Sequence, residues 1–173
     1  MQEIIELIRA ANPKRSMPSL PRRFMKLTEE LGEVAEAYLN VTSKANDKCK
    51  TWDDVREECA DVLIVAFDIA LTMNDFVIEH FGSSDIENFS DILFDLNGSM
   101  TRLYFCSDSS CLDEDEVNYF VDLVTSLALM MLPDRPSIEL DDQMIQLKAE
   151  VIRKLKKWTK AVDNQTDVTE FVL

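Results

Sequence analysis

The sequence predicts an all-α protein, a bundle of about five helices, and three observations support this fold class. Residues that interrupt helices are scarce, with only 3 glycines and 5 prolines among 173 residues. Apolar residues recur at spacings of three and four, and no strand-length alternation lies between turn residues. A content of 46% hydrophobic and 29% charged residues is typical of one folded domain with a substantial core.

Two helices are predicted in the first forty residues. A short helix over 2–11 carries three isoleucines on one side, and a connector with three prolines follows over 12–21. A long helix is then predicted over 22–40, because its apolar residues recur at helical spacing. These residues lie four, three and four positions apart: Leu27, Leu31, Val34 and Tyr38.

The next helix is predicted to be the centre of the bundle. It extends over 52–81, after a cap at Thr51 or Asp53, and stops at Gly82. Most of its circumference is apolar, so other helices have to surround it. One stripe of this helix is acidic and includes Asp61. That stripe is either the solvated face of the helix or the lining of a metal-filled cavity.

Three further helices are predicted over 86–105, 115–132 and 138–161. Pro133 and Pro136 end the second of these, since proline interrupts a helix interior. The residues from about 162 onward are expected to form a loose tail. The whole chain is therefore expected to be a single helical domain.

Composition also limits the function. A net charge of −15 disfavours nucleic-acid binding, because proteins that bind duplexes need a basic face. The four cysteines form no C-x-x-C pair and His80 is the single histidine, which disfavours a zinc site. The N-terminus shows no signal pattern, and the longest apolar stretches are too short to span a bilayer. We therefore expect a cytoplasmic protein that binds neither nucleic acid nor membrane.

Two short acidic patterns indicate a metal site. Glu30-Leu-Gly-Glu33 and Glu58-Cys-Ala-Asp61 each place two carboxylates on one helix face. Two such helices side by side would present four oxygen ligands to one point, and Mg²⁺ prefers such ligands together with substrate phosphates. Gly32 costs the helix about 1 kcal/mol and indicates close approach of another helix or a ligand. The alternative is that both pairs are ordinary acidic residues of an acidic chain.

The few histidines and glycines of the chain disfavour other kinds of active site. Di-iron bundles use Glu-x-x-His motifs, whereas His80 directly follows Glu79. Three scattered glycines cannot supply a P-loop or a dinucleotide-binding fingerprint. A nucleophilic triad would have to use His80, which lies near a predicted helix end.

The residues around the acidic pairs carry a family resemblance. They are Lys26-Leu-Thr-Glu-Glu-Leu-Gly-Glu-Val-Ala-Glu-Ala and Glu57-Glu-Cys-Ala-Asp-Val-Leu-Ile-Val. The two pairs are separated by 24 residues. Over 22–76 the chain resembles the MazG-like all-α nucleoside triphosphate pyrophosphohydrolases, whose signature is Glu-x-x-Glu followed, after a gap, by Glu-x-x-Asp. The likeness is weak over 86–136, which resembles an added helical hairpin. A single motif is typical of phage-encoded members.

The resemblance implies a metal site, an activity and an oligomer. Glu30, Glu33, Glu58 and Asp61 would bind Mg²⁺, for which Mn²⁺ can substitute. The enzyme would convert an NTP or dNTP to its monophosphate and pyrophosphate and so control the nucleotide pool. The chain would form a homodimer or homotetramer with sites near subunit interfaces.

Further roles follow from this hypothesis. Glu29 or Glu30 would orient or deprotonate the attacking water. Basic groups would hold the phosphates; the candidates are Lys148, Lys156 and Lys26, the last of which is equally suited to pair with Glu30. The candidates for a base pocket are Phe24, Trp52 and Asn74, each of a type more often found in a core or a cap.

Two other functions stay open at this stage. A non-catalytic acidic helical interaction module would leave Glu33 and Asp61 exposed and dispensable. A hydrolase of the same fold acting on another phosphorylated compound would be distinguished by its products.

Overall fold

The all-α prediction is confirmed. The computed structural model describes residues 2–11, 19–45, 47–73, 88–106, 114–130 and 145–157, and these ranges contain six helices and no strand. In chain order the helices are α1 (Gln2–Ala11), α2 (Leu20–Thr42), α3 (Trp52–Met73), α4 (Phe89–Cys106), α5 (Glu114–Met130) and α6 (145–157). None of the described helices combines the length and the apolar character needed to cross a membrane.

Helix α3 is the centre of the bundle, as its composition predicted. Every residue from Cys59 to Leu71 is buried. α2 packs along α3 more extensively than any other helix does, and α1 and α5 also contact it. The acidic stripe is solvated only at its start: Asp54 and Glu57 are partly exposed, whereas Asp61 and Asp68 are buried with the apolar residues. Burial of a carboxylate is costly, so both need compensating groups.

The first turn of α3 explains why the helix begins where it does. The Thr51 backbone N–H and hydroxyl each donate to Asp54 Oδ2 at 2.7 Å, and the Asp54 N–H donates to Thr51 Oγ1 at 3.3 Å. This reciprocal arrangement satisfies backbone donors that a helix start leaves without partners. Of the two predicted caps, Thr51 is the one used.

The remaining helices complete the core. α4 packs against α5, where Ser99 Oγ donates to Glu116 Oε1 at 2.7 Å and Arg102 pairs with the same carboxylate at 2.9 Å. α6 buries three apolar residues at a spacing of four: Leu147, Val151 and Leu155. α4 also contacts α2, but less extensively than it contacts α5.

The predicted helix boundaries agree with the described ones to within three residues for α2, α4 and α5. The predicted continuation of the third helix past Met73 lies outside the described residues, as do Asn74, both ends of the helix predicted over 138–161, and the tail from 162. The interpretation of 86–136 as an added hairpin stays a prediction.

Candidate metal centre

Three of the four predicted metal ligands converge in the structure. One carboxylate oxygen each from Glu30, Glu33 and Glu58 lies within 4.8 Å of the other two. The close packing of α2 along α3 brings them together, and the spacing of three residues keeps Glu30 and Glu33 on one side of α2. Glu30 is buried, Glu58 is partly buried and Glu33 is exposed. The cluster therefore extends from the core to solvent.

The fourth predicted ligand, Asp61, is held by a lysine from α6. Lys154 is only 3% exposed, and its ammonium group donates to Asp61 Oδ2. The same ammonium lies 3.0 Å from Glu57 Oε1 and 4.0 Å from Glu58 Oε2. The other oxygen of Asp61, Oδ1, is buried and has no hydrogen-bond partner among the described residues. A buried carboxylate oxygen without a donor is costly unless a cation reaches it.

Two more lysines lie at the edge of the cluster. Lys26 Nζ is 2.7 Å from Glu30 Oε1 and 3.2 Å from Glu29 Oε2. Lys50 Nζ is 3.9 Å from Glu58 Oε1. Glu29 itself is exposed, so of the two predicted water-activating residues only Glu30 belongs to the buried part of the cluster.

Burial shifts the pKa values of the carboxyl groups in this cluster. Burial raises the pKa of Glu30 from 4.5 to about 7, with Asp61 and Glu33 adding to the effect and Lys26 opposing it. Burial likewise raises the pKa of Glu58 and that of Asp61, against the effect of Lys154. Burial by itself lowers the pKa of Lys154, but its bonds to Asp61 and Glu57 outweigh this and the pKa is raised. A bound cation would relieve the repulsion among the carboxylates.

The donor set fits Mg²⁺. The cluster offers carboxylate oxygens alone, which are the hard ligands that Mg²⁺ prefers. Around one Mg²⁺, adjacent oxygens lie about 3 Å apart and opposite ones about 4 Å apart, so oxygens within 4.8 Å of one another would have to draw closer to share one ion. Asp61 Oδ1 adds a buried oxygen that lacks a donor. The residues that would hold the ion are therefore Glu30, Glu33 and Glu58, with Asp61 beside them.

The predicted substrate contacts are placed less favourably. Lys148 pairs with Glu3 of α1 instead of with the carboxylate cluster, and Lys156 is exposed on α6. Asn74 lies outside the described residues. Phe24 is buried in the core with its ring edge against Tyr104, so it is placed as a core residue.

The predictions overlooked Lys154 as an individual residue of the site. Lys148 and Lys156 are candidates because they lie eight residues apart, about two helical turns, and so share one face of α6. The sequence does contain a sign that Lys154 is buried, since it lies within the apolar stripe of α6 formed by Leu147, Val151 and Leu155. Asp68 has a comparable arrangement further along α3, where Arg23 of α2 pairs with it at 3.4 Å.

Comparison of the chain with protein-family models, with curated proteins and with solved structures returned no match.

Proposed function

We propose that the protein is a Mg²⁺-dependent nucleoside triphosphate pyrophosphohydrolase that converts an NTP or dNTP to its monophosphate and pyrophosphate. The observation that carries the proposal is the convergence of Glu30, Glu33 and Glu58 within 4.8 Å. The sequence around these residues resembles that of the MazG-like family, and a cluster of carboxylates on two packed helices supports a metal site of that kind. Mn²⁺ is expected to substitute for Mg²⁺.

The bound metal would supply positive charge to phosphate oxygens and lower the pKa of a water molecule. The protein's own residues would do the rest. Glu30 would orient that water from the buried side of the cluster, and Lys26 holds its Oε1 at 2.7 Å. The exposure of Glu33 leaves the cluster open to solvent, so a phosphate chain can approach from that side.

Basic side chains around the cluster are available to bind the phosphates. Lys26 and Lys50 are both partly exposed beside the carboxylates. Lys156 is a further candidate on α6, and Lys148 would have to leave Glu3 to take part. Asn74 and the half-exposed Trp52 stay candidates for contacts with the base.

The alternative of an acidic interaction module receives less support. It expects both Glu33 and Asp61 on the surface, but Asp61 is buried and bound to Lys154. A binding surface has no need for a buried carboxylate oxygen without a hydrogen-bond donor. A hydrolase acting on another phosphorylated compound would use the same cluster, so product analysis has to separate it from the proposed enzyme.

The test is an assay of purified protein with Mg²⁺ and a panel of individual NTPs and dNTPs, with the products resolved. We expect monophosphate and pyrophosphate from one or a few substrates, with loss of turnover in Glu33→Gln and Glu58→Gln. Glu36→Gln is the matched control, because Glu36 is also exposed on α2 but pairs with Lys48. No turnover of any nucleotide, or equal turnover in all variants, would refute the proposal.

A further inference from the structure

Lys154 of α6 lies between two carboxylates that are one turn apart on α3. Its ammonium group donates to Asp61 Oδ2 and also lies 3.0 Å from Glu57 Oε1. Glu57 and Asp61 are four residues apart, so they lie one above the other on the side of α3 that faces Lys154. One buried cation therefore has two carboxylate partners within reach.

The two carboxylates have different surroundings. Asp61 is only 6% exposed, and its Oδ1 has no hydrogen-bond partner among the described residues. Glu57 is partly exposed, and its Oε1 also lies 2.7 Å from the guanidinium of Arg153. Arg153 is held in turn by Glu150, to which its Nε donates at 2.9 Å. Asp61 therefore depends on Lys154, whereas Glu57 has a second cation beside it that fixes its position.

Asp61 is the predicted metal ligand that stands apart from the converged group of Glu30, Glu33 and Glu58. It follows Glu58 by three residues and so lies on the same side of α3. An ammonium group and a divalent ion on one carboxylate repel each other, and burial strengthens this repulsion. Asp61 can therefore join the other carboxylates around an ion only when Lys154 moves away from it.

Glu57 is the nearest other acceptor for the ammonium group. Lys154 Nζ lies 3.0 Å from Glu57 but 4.0 Å from Glu58, which is itself a candidate ligand. A lysine side chain is a flexible four-carbon stem with three donors, so rotation about its own bonds can transfer the ammonium group between neighbouring carboxylates. The helix can stay in place, because α6 is docked by buried apolar residues such as Val151.

We infer that Lys154 holds the place of the ion at Asp61 in the metal-free protein and transfers to Glu57 when a divalent ion binds. Glu57 is then a positioning residue, which accepts the buried ammonium group that the ion displaces. Without Glu57 the displaced cation would be left buried with no partner, and this opposes metal binding. The inference rests on the proposed function in one respect, since it takes the carboxylate cluster to be a metal site.

The test is a titration of the purified protein with Mn²⁺ in the absence of nucleotide, with free Mn²⁺ measured by electron paramagnetic resonance. Glu57→Gln should weaken Mn²⁺ binding at least about tenfold. Glu57→Asp keeps a carboxylate beside Lys154 and should recover most of this loss. Asp53→Asn is the matched control, because Asp53 lies on the same helix but is 83% exposed and pairs with Arg56. Its charge is screened by salt, so the control should change the affinity by about twofold at most.

A double-mutant cycle separates the transfer of Lys154 from the simple loss of one negative charge. Lys154→Met should bind Mn²⁺ more tightly than wild type, because no ammonium group has to leave Asp61. In that background Glu57→Gln should weaken binding by about threefold or less, since only its charge is lost. Circular dichroism melting curves establish that each variant is folded. Lys154→Gln, which removes the charge and keeps a donor, replaces Lys154→Met if the latter does not fold.

The outcomes distinguish this inference from the proposed function. A Glu57→Gln effect no larger than that of Asp53→Asn, or one that is undiminished without the Lys154 charge, overturns the inference and leaves the metal site in place. A wild type that binds no Mn²⁺ overturns both. The expected cycle in a protein that turns over no nucleotide supports the inference and refutes the proposed activity.

Discussion

Replacement of Lys154 by methionine tests the electrostatic account of the candidate metal centre. Lys154 is buried and is the group that hydrogen-bonds to Asp61. Methionine keeps most of the volume and removes the charge, so Asp61 would be left buried without its cation. Loss of one partner from a buried ion pair costs about 3–5 kcal/mol, most of it from the charge left behind. We expect this loss in the free energy of unfolding when EDTA keeps the protein free of metal.

The assay is denaturant-induced unfolding followed by circular dichroism at one protein concentration. Lys156→Met is the control, because Lys156 is exposed on the same helix, and it should change stability by less than about 0.5 kcal/mol. The second arm adds Mg²⁺. A ligand that binds only the folded state at one hundred times its Kd adds about 2.7 kcal/mol of stability. Lys154→Met lacks the ammonium group that competes with Mg²⁺ for the carboxylates, so Mg²⁺ should raise its free energy of unfolding by more than it raises that of wild type.

Two results would refute this reasoning. One is a Lys154→Met protein whose stability in EDTA lies within about 1 kcal/mol of wild type, since the pair would then not compensate the burial of Asp61. The other is a variant that Mg²⁺ stabilises no more than wild type. In that case Lys154 and the metal would not act on the same carboxylates.

Three further changes have expected outcomes. The pKa of Glu30 is 4.5 in the unfolded chain and about 7 in the folded chain. The contribution of Glu30 to the free energy of unfolding is therefore fully present below pH 4.5 and is lost as pH rises through 7. In the metal-free protein this loss should be about 3 kcal/mol. Unfolding measured against pH should show a smaller fall in Glu30→Gln than in wild type, and the part that remains comes from Glu58 and Asp61, whose pKa values are also raised. Thr51→Ala should cost about 1 kcal/mol in denaturant unfolding, because it removes the reciprocal bonds with Asp54; an unchanged midpoint would show that the cap adds nothing. Phe67→Ala should cost about 3–5 kcal/mol by the same method, since Phe67 is fully buried in α3; a loss below about 1 kcal/mol would contradict its place in the core.

Much of the fold could be predicted because its determinants are local. The spacing of apolar residues in α2 repeats within each turn, and the apolar circumference of α3 indicated its central position before any contact was known. Glu30 and Glu33 share one side of α2 for the same local reason. Their approach to Glu58 needed only the assumption that α2 and α3 lie side by side, and this packing is the most extensive in the structure.

The rest could not be predicted, because it depends on contacts between distant parts of the chain. Lys154 and Asp61 are 93 residues apart, and no local spacing relates them. Lys148 and Lys156 share one face of α6, but their spacing does not determine which residues of the other helices lie opposite that face. Phe94 and Phe105 are of a residue type typical of a core, but the packing of the helices leaves both exposed.

The buried thiol of Cys59 gives the protein an internal reporter of opening. Cys59 follows Glu58 directly on α3 and is fully enclosed, and burial, aided by the charge of Glu58, raises its pKa. An alkylating reagent therefore has to wait until the bundle opens around α3 before a thiolate can form. Cys49, which is exposed, reacts without that delay. The ratio of the two labelling rates therefore measures how often α3 opens on the side of α5 and α6, because Ala128 and Leu147 border the same hollow as Cys59.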